Sequence, residues 1–140
     1  MMRVVADANV FVSAALGRSP QAPSVRIINA ALDGRVALVM SPALLVEIAD
    51  VLSRPRIRKR ISAEDAQLFL GDVVAQAVMF ADPANPPSVC RDPDDDYLVA
   101  LTVMASAEVL VRGDDDLLAV EPERAGVEVL SPRQLIERLG

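Results

Sequence analysis

The side chains best suited to chemistry in this sequence are carboxylates that come after short apolar runs. Asp7 follows the apolar run 4–6. Asp114 and Asp116 come shortly after the run 109–111. If these runs are parallel strands, their carboxyl ends lie at one edge of a sheet, which is where open α/β sheets bind ligands. With a glutamate and an aspartate in two helical stretches, we expect five acids to contribute to one site: Asp7, Glu47, Asp96, Asp114 and Asp116.

Several carboxylates in one site require a cation, because like charges repel and drive one another toward their neutral forms. The sequence has no His, which excludes a Ser-His-Asp triad, a zinc site with His ligands and imidazole acid–base catalysis. Oxygen ligands without His or Cys favour Mg²⁺ or Mn²⁺. One or two such ions would bind phosphate oxygens and lower the pKa of a bound water. The acids therefore predict hydrolysis of a phosphodiester bond, leaving a 5′-phosphate and a 3′-hydroxyl.

Each acid also has a structural explanation. An Asp after a strand often caps the next helix, and an Asp in a first helical turn suits the helix dipole. The GDDD run at 113–116 could form a polar turn. Glu47 falls beside Val51 at the edge of an apolar stripe and is expected at the rim of the core. These explanations are favoured for each acid singly, whereas the joint placement toward one sheet edge favours a site.

The composition predicts one domain, residues 1–140. A chain of 140 residues has the usual size of a domain, and its aliphatic, aromatic-poor apolar residues suit a sheet covered by helices on both faces. A lone cysteine, Cys90, cannot form an internal disulfide and is expected to fill core space, in agreement with a reducing compartment. We find no run long enough to span a membrane and no secretory signal, and so expect a soluble, cytoplasmic protein without membrane contact.

Apolar periodicity and capping signals predict alternating strands and helices. Strands are expected at 3–6, 36–40, 108–112 and 127–130. Helices are expected at 25–32, from Ser41-Pro42 to Pro55, at 62–81 with a short strand allowed at its end, at 94–107, at 115–120 and from Ser131-Pro132 to Leu139. Strands that alternate with helices imply a three-layer α/β/α fold with a mainly parallel central sheet.

Basic residues are concentrated in one segment, although the formal net charge of the chain is −6. The segment RPRIRKR contributes five cations: Arg54, Arg56, Arg58, Lys59 and Arg60. Such a segment can hold RNA phosphates beside an acidic pocket. It can equally be a solvated helix end, where the helix dipole favours cations. The sequence leaves both interpretations open.

The sequence resembles the PIN-domain ribonucleases, especially the branch that acts as toxins of bacterial toxin–antitoxin pairs. Four stretches carry the resemblance: VVADANVFVSAAL at 4–16, PALLVEIADVLSRP at 42–55, RDPDDDYLVALTVMASAEVLVRGDDDLL at 91–118 and SPRQLIERL at 131–139. Together they extend over nearly the whole chain. The resemblance implies a PIN-like fold, a Mg²⁺- or Mn²⁺-dependent endoribonuclease, an RNA substrate, an antitoxin that blocks the acidic groove, and a homodimer.

The resemblance also implies a role for each acid. The family's catalytic acids correspond to Asp7, Glu47, Asp96 and Asp114. Its metal ligands correspond to Asp7, Asp96, Asp114 and Asp116, with Asn9 as a supporting polar residue. Asp96 is preferred to Asp95 because the apolar helix begins immediately after it. The remaining acids are expected in turns and caps: Asp92, Asp94, Asp95 and Asp115.

One departure from the family pattern is Arg112-Gly113, because many relatives have Thr before the acidic pair. The change is expected to affect a hydrogen bond to the substrate or around the site, and to leave the metal site itself unaffected. No acidic position is lost, so that the resemblance implies an active enzyme rather than an inactive relative.

Other classes of protein explain part of the same pattern. A receiver domain also has Asp after its first strand, but it needs a Lys after a later central strand, and the only Lys here is Lys59. A haloacid-dehalogenase-like phosphatase has a motif similar to GDDD, but its opening motif needs a second Asp where this chain has Asn9. A non-catalytic protein could use the acids for a structural cation and mainly bind a partner.

Overall fold

The computed structural model describes residues 1–84, 96–113 and 126–140. Within these ranges the chain forms five strands and seven helices. The strands are β1 (Met2–Ala6), β2 (Val36–Met40), β3 (Val78–Met79), β4 (Val109–Val111) and β5 (Val129–Leu130). The helices are α1 (Ala8–Leu16), α2 (Pro23–Leu32), α3 (Pro42–Ser53), α4 (Pro55–Arg58), α5 (Ala63–Gln76), α6 (Asp96–Met104) and α7 (Pro132–Leu139).

The strands form a parallel sheet in the order β3-β2-β1-β4-β5. β1 is its centre, since Val4 pairs with Leu38 of β2 on one side and with Val109 of β4 on the other. Val4, Val5 and Ala6 are all fully buried, although successive strand residues face opposite sides of a sheet. Both faces at the centre are therefore covered, as is usual for parallel sheets.

Helices cover the two faces of the sheet in separate groups. α1, α2, α3 and α5 pack against one another, whereas α6 packs on β1 and β4. Because crossovers between parallel strands are right-handed, the connections that lead from β1 to β2 and β3 lie on one face. The connection from β3 to β4, which contains α6, crosses the sheet in the opposite direction from the first two. It therefore lies on the other face. The predicted three-layer α/β/α fold with a parallel sheet is confirmed.

Local signals predict most of the described elements. β2 has its predicted bounds, and the predicted helix 62–81 consists of α5 followed by the short strand β3. The capping residues are as expected: Ser41, Ser62 and Ser131 each accept a hydrogen bond from the backbone N–H three residues later. The remaining strands and α2 differ from prediction by one or two residues at their ends, because helix and strand ends are weakly specified by local pattern.

Three differences from prediction have physical reasons. α1 is absent from the prediction because the successive apolar residues 10–12 show no helical spacing. Pro55 does not simply end α3: the helix stops at Ser53, and Pro55 begins α4, since Pro fits the first helical turn. The helix predicted at 94–107 ends at Met104. Ser106 follows with a φ of 52°, which a continuing helix does not allow.

Some predictions fall on residues outside the described ranges. These are the helix at 115–120 and Cys90. The helices of the described residues can be compared with the length needed to span a membrane. The longest described helix, α5, has 14 residues, whereas a spanning helix needs about 20 apolar residues. No described helix is long and apolar enough to cross a membrane.

Candidate active site

Asp7 lies where the central strand ends and the first helix begins. Its backbone N–H donates to the carbonyl of Val111 at 3.0 Å, which continues the pairing of β1 with β4. Its side chain caps α1 by accepting a hydrogen bond from the backbone N–H of Val10 at 3.1 Å. The residue is only 4% exposed. Asp7 is therefore a buried carboxylate held at the carboxyl edge of the sheet.

The end of β4 supplies a further hydrogen-bond donor to the same carboxylate. The backbone N–H of Gly113 lies 3.3 Å from each carboxylate oxygen of Asp7. A Cβ at position 113 would lie 3.1 Å from the Cβ of Asn9, so that Asn9 would have to move by a few tenths of an ångström. Gly fits this close approach because it has no Cβ. Asn9 itself is exposed in the first turn of α1, and its supporting role stays a prediction.

Arg112 is a buried cation beside Asp7. Its Nε lies 3.4 Å from Oδ2 of Asp7, and the two side chains are 0% and 6% exposed. An unpaired charge in such a place is very costly, so each side chain compensates the burial of the other. From the sequence, Arg112 is expected to lie outside the metal site, whereas the structure places its guanidinium against a predicted metal ligand. The available signal was a charged side chain at the end of an apolar strand, directly before a run of acids.

Asp96 is the first residue of α6 and is also 4% exposed. A helix that connects parallel strands runs opposite to them, so that α6 begins at the carboxyl edge of the sheet. α6 packs on β1 and β4, the strands whose ends carry Asp7 and Arg112. The fold therefore brings Asp7 and Asp96 to the same edge, as expected from the sequence.

Glu47 is joined to the start of α6 by a hydrogen bond. The hydroxyl of Tyr97 donates to Oε2 of Glu47. Because α3 and α6 lie on opposite faces of the sheet, this bond connects the two helical layers. Glu47 is exposed, and so lies farther from the core than its place beside Val51 predicts. The hydrogen bond nevertheless holds its carboxylate near the first turn of α6.

Tyr97 is a second residue of the site that is not among those predicted from the sequence. It is the single Tyr of the chain and directly follows Asp96. A tyrosine that is partly buried usually finds a hydrogen-bond partner for its hydroxyl, and Tyr97 is half-buried. Its position directly after a predicted site aspartate was the sequence signal that could have assigned it to the site. The identity of its partner, 50 positions away in the sequence, had no local signal.

The final acidic pair, Asp114 and Asp116, lies outside the described residues, and so does Asp95. The preference for Asp96 over Asp95 as a ligand therefore stays a prediction. Within residues 1–84, 96–113 and 126–140, no group of three or more His, Cys, Asp or Glu side chains is placed to hold a metal ion. The acids that are described offer carboxylate oxygens, a donor set that fits Mg²⁺ or Mn²⁺.

The five cations of the basic segment are all exposed, and they have different surroundings. Arg54 forms an ion pair with Asp50 at 3.3 Å. Arg60 instead lines a cavity of about 460 Å³ together with Arg18 and two Ser residues. This cavity lies at the carboxyl end of α1, a helix of nine residues. With a rise of about 1.5 Å per residue, it is about 13 Å from the end that Asp7 caps.

The chain matches known proteins along most of its length. A family model described as a PIN domain matches residues 3–116. The uncharacterized protein MJ1680 of Methanocaldococcus jannaschii is 26% identical over 143 residues, which cover 97% of this chain and 90% of that protein.

Two solved structures have a fold similar to that of this chain. The crystal structure of PAE2754 from Pyrobaculum aerophilum superposes with a TM-score of 0.63 at 17% identity, covering 99% of this chain and 89% of that one. The PilT N-terminus domain protein SSO1118 from Sulfolobus solfataricus P2 superposes with a TM-score of 0.59 at 16% identity, covering 99% of this chain and 93% of that one. At these identities the similarity establishes the fold.

The buried ion pair predicts a large stability cost for a neutral residue at position 112. Arg112→Met should lower the free energy of unfolding by about 3–5 kcal/mol, because it leaves the Asp7 carboxylate buried without this compensating charge. Urea denaturation followed by circular dichroism measures the loss.

Arg138→Met is the matched control. Arg138 pairs with Glu128 at the surface, where the side chains are 42% and 46% exposed. The hydrogen bond from Arg138 lowers the pKa of Glu128, so that the pair is charged at neutral pH. Its removal should cost far less than the loss of Arg112, because water solvates the remaining carboxylate. Equal losses in the two variants would contradict a buried pair at position 112.

Proposed function

This chain belongs to the PIN-domain family, and we propose that it is a metal-dependent endoribonuclease that hydrolyses RNA phosphodiester bonds. PIN domains are generally metal-dependent nucleases and use divalent ions such as Mg²⁺ or Mn²⁺. One observation carries the proposal for this chain. Asp7 and Asp96 are both buried carboxylates at the ligand-binding edge of the sheet.

In the proposed site, Asp7 and Asp96 act with Asp114 and Asp116 as ligands of Mg²⁺ or Mn²⁺. Such an ion lowers the pKa of a bound water and offsets the charge of the leaving oxygen. The protein's own contribution is to fix its donors in place. Asp7 is held by backbone N–H groups from α1 and from the end of β4. Glu47 is oriented by the Tyr97 hydroxyl, where it can accept a proton or orient a water.

The proposed substrate is single-stranded RNA. Its backbone would run from the acidic edge of the sheet toward the carboxyl end of α1. Arg18 and Arg60 both line the cavity at that end. Two arginines converging on one cavity form a suitable place for a phosphate group. This arrangement favours the RNA interpretation of the basic segment for Arg60, whereas Arg54 is engaged by Asp50.

We also propose that the chain is the toxin of a toxin–antitoxin pair and acts as a homodimer. The toxin role and the antitoxin partner rest on the resemblance of its motifs to that branch of the family. Support for self-association comes from exposed apolar side chains on two helices that pack together, α3 and α5. Val46 and Leu68 on these helices are 69% and 66% exposed.

The nuclease proposal predicts loss of RNA cleavage when either buried aspartate becomes an amide. Asp7→Asn and Asp96→Asn should each reduce cleavage of end-labelled single-stranded RNA in Mg²⁺ or Mn²⁺ by at least about 10–100-fold, the range expected even for residues that only support metal ligands. Asp50→Asn, a change of the same kind on the surface of α3, should retain activity. RNA loss that is equal for wild type and Asp7→Asn would indicate a contaminating nuclease and refute the enzyme assignment.

The cavity predicts a defined change in the salt dependence of RNA binding. For single strands the slope of log K against log salt changes by about 0.7 for each phosphate contact. The double variant Arg18→Ala/Arg60→Ala should therefore reduce the slope by about 1.4, measured by fluorescence anisotropy in EDTA so that RNA is not cleaved. Arg54→Ala should leave it unchanged. An unaltered slope in the double variant would remove the cavity from the RNA path.

The toxin role predicts an effect on growth. Induced expression of the wild-type chain should arrest a bacterial host, and Asp7→Asn expressed to the same level should not. Growth should be restored by co-expression of the proposed antitoxin, which is to be sought as a short open reading frame beside the gene. Normal growth at high levels of active wild-type enzyme would contradict the toxin role and leave the nuclease assignment standing.

A further inference from the structure

The candidate metal site already contains a cation that belongs to the chain. Arg112 is 1% exposed as a residue, and its Nε lies 3.4 Å from Oδ2 of Asp7. A guanidinium stays charged at every physiological pH. The first carboxylate of the site is therefore in contact with a permanent positive charge before any metal binds.

A neutral hydroxyl residue such as Thr at position 112 would give Asp7 a different electrostatic environment. Thr would offer a hydroxyl and no charge. Arg112 brings a full charge to a carboxylate that the proposed function assigns to a divalent ion. Two cations a few ångströms apart repel strongly in a poorly solvated place, because the effective dielectric constant there is far below that of water.

We propose that Arg112 is an internal countercharge that competes with the divalent ion for Asp7 and lowers the affinity of the site for metal. The inference rests on the proposed function only in taking Asp7 as a metal ligand. Arg112 is a positioning residue: its side chain is 0% exposed, so that it acts on Asp7 and does not reach an RNA phosphate in solvent. Binding of the ion requires the guanidinium to share or release Oδ2.

Two substitutions of Arg112 distinguish the effect of its charge from the effect of its structural support. Arg112→Lys keeps the positive charge and loses the planar guanidinium, and Arg112→Gln loses the charge at a similar length. Both variants should be less stable than wild type without metal. Only Arg112→Gln removes the repulsion between the side chain and a divalent ion, so any difference in metal affinity between them reports the charge.

The test is calorimetric titration of the EDTA-stripped, full-length variants with MnCl₂. Arg112→Gln should bind Mn²⁺ at least about tenfold more tightly than Arg112→Lys, since an adjacent unit charge acts on both charges of the ion. Its melting temperature should also rise more on addition of Mn²⁺, because tighter binding to the folded state stabilises it further. Equal or weaker binding by Arg112→Gln, or no binding by either variant, would overturn the proposal.

A measurement on the wild-type protein keeps the proposal testable if Arg112→Gln does not fold. The Nε–H resonance of Arg112, assigned by its absence from the spectrum of Arg112→Lys, should be protected from hydrogen exchange in EDTA. Saturation with Mg²⁺ should shift it and speed its exchange as Oδ2 is shared or released. A resonance unchanged by Mg²⁺ would overturn the inference. Cleavage of RNA is not part of either readout, so a chain that binds metal without cutting RNA would refute the proposed function alone.

Discussion

The buried contact between Asp7 and Arg112 connects the ends of the two strands at the middle of the sheet. A carboxylate and a guanidinium away from water are stable only when they neutralise each other and their remaining hydrogen-bonding capacity is used. Asp7 meets part of this requirement by accepting hydrogen bonds from the backbone of Val10 and Gly113. The start of α1 and the end of β4 are therefore tied to one side chain, and the shape of the carboxyl edge depends on it.

A parallel sheet with helices on both faces limits where chemistry can occur. The faces of β1 are filled by core residues and are closed to ligands, so polar groups can converge only at the ends of the strands. At the carboxyl edge, α3 and α6 reach the site from opposite layers. The hydrogen bond from Tyr97 to Glu47 joins them. It also holds an exposed glutamate of a surface helix near the first turn of α6.

The charges of the chain are separated in space, and this separation matters more than the net charge of −6. The buried carboxylates lie at the amino end of α1 and at the beginning of α6, and the arginine-lined cavity lies at the carboxyl end of α1. An anionic polymer is repelled by the acids unless they hold a cation, and is attracted by the arginines. This polarity suits the proposed RNA substrate, because phosphate contacts away from the reacting bond supply affinity without adding cations at the acidic edge.

The sequence alone predicted the layered α/β/α fold, because apolar periodicity and capping residues such as Ser41 act within a few residues of chain. It also predicted that Asp7 and Asp96 share one edge, since strand and helix order in a parallel sheet determines which ends coincide. The three-dimensional structure was needed to show that Arg112 turns inward to Asp7 and that Tyr97 reaches Glu47. These contacts join residues far apart in sequence, and the direction of each side chain depends on packing against elements that its local sequence does not describe.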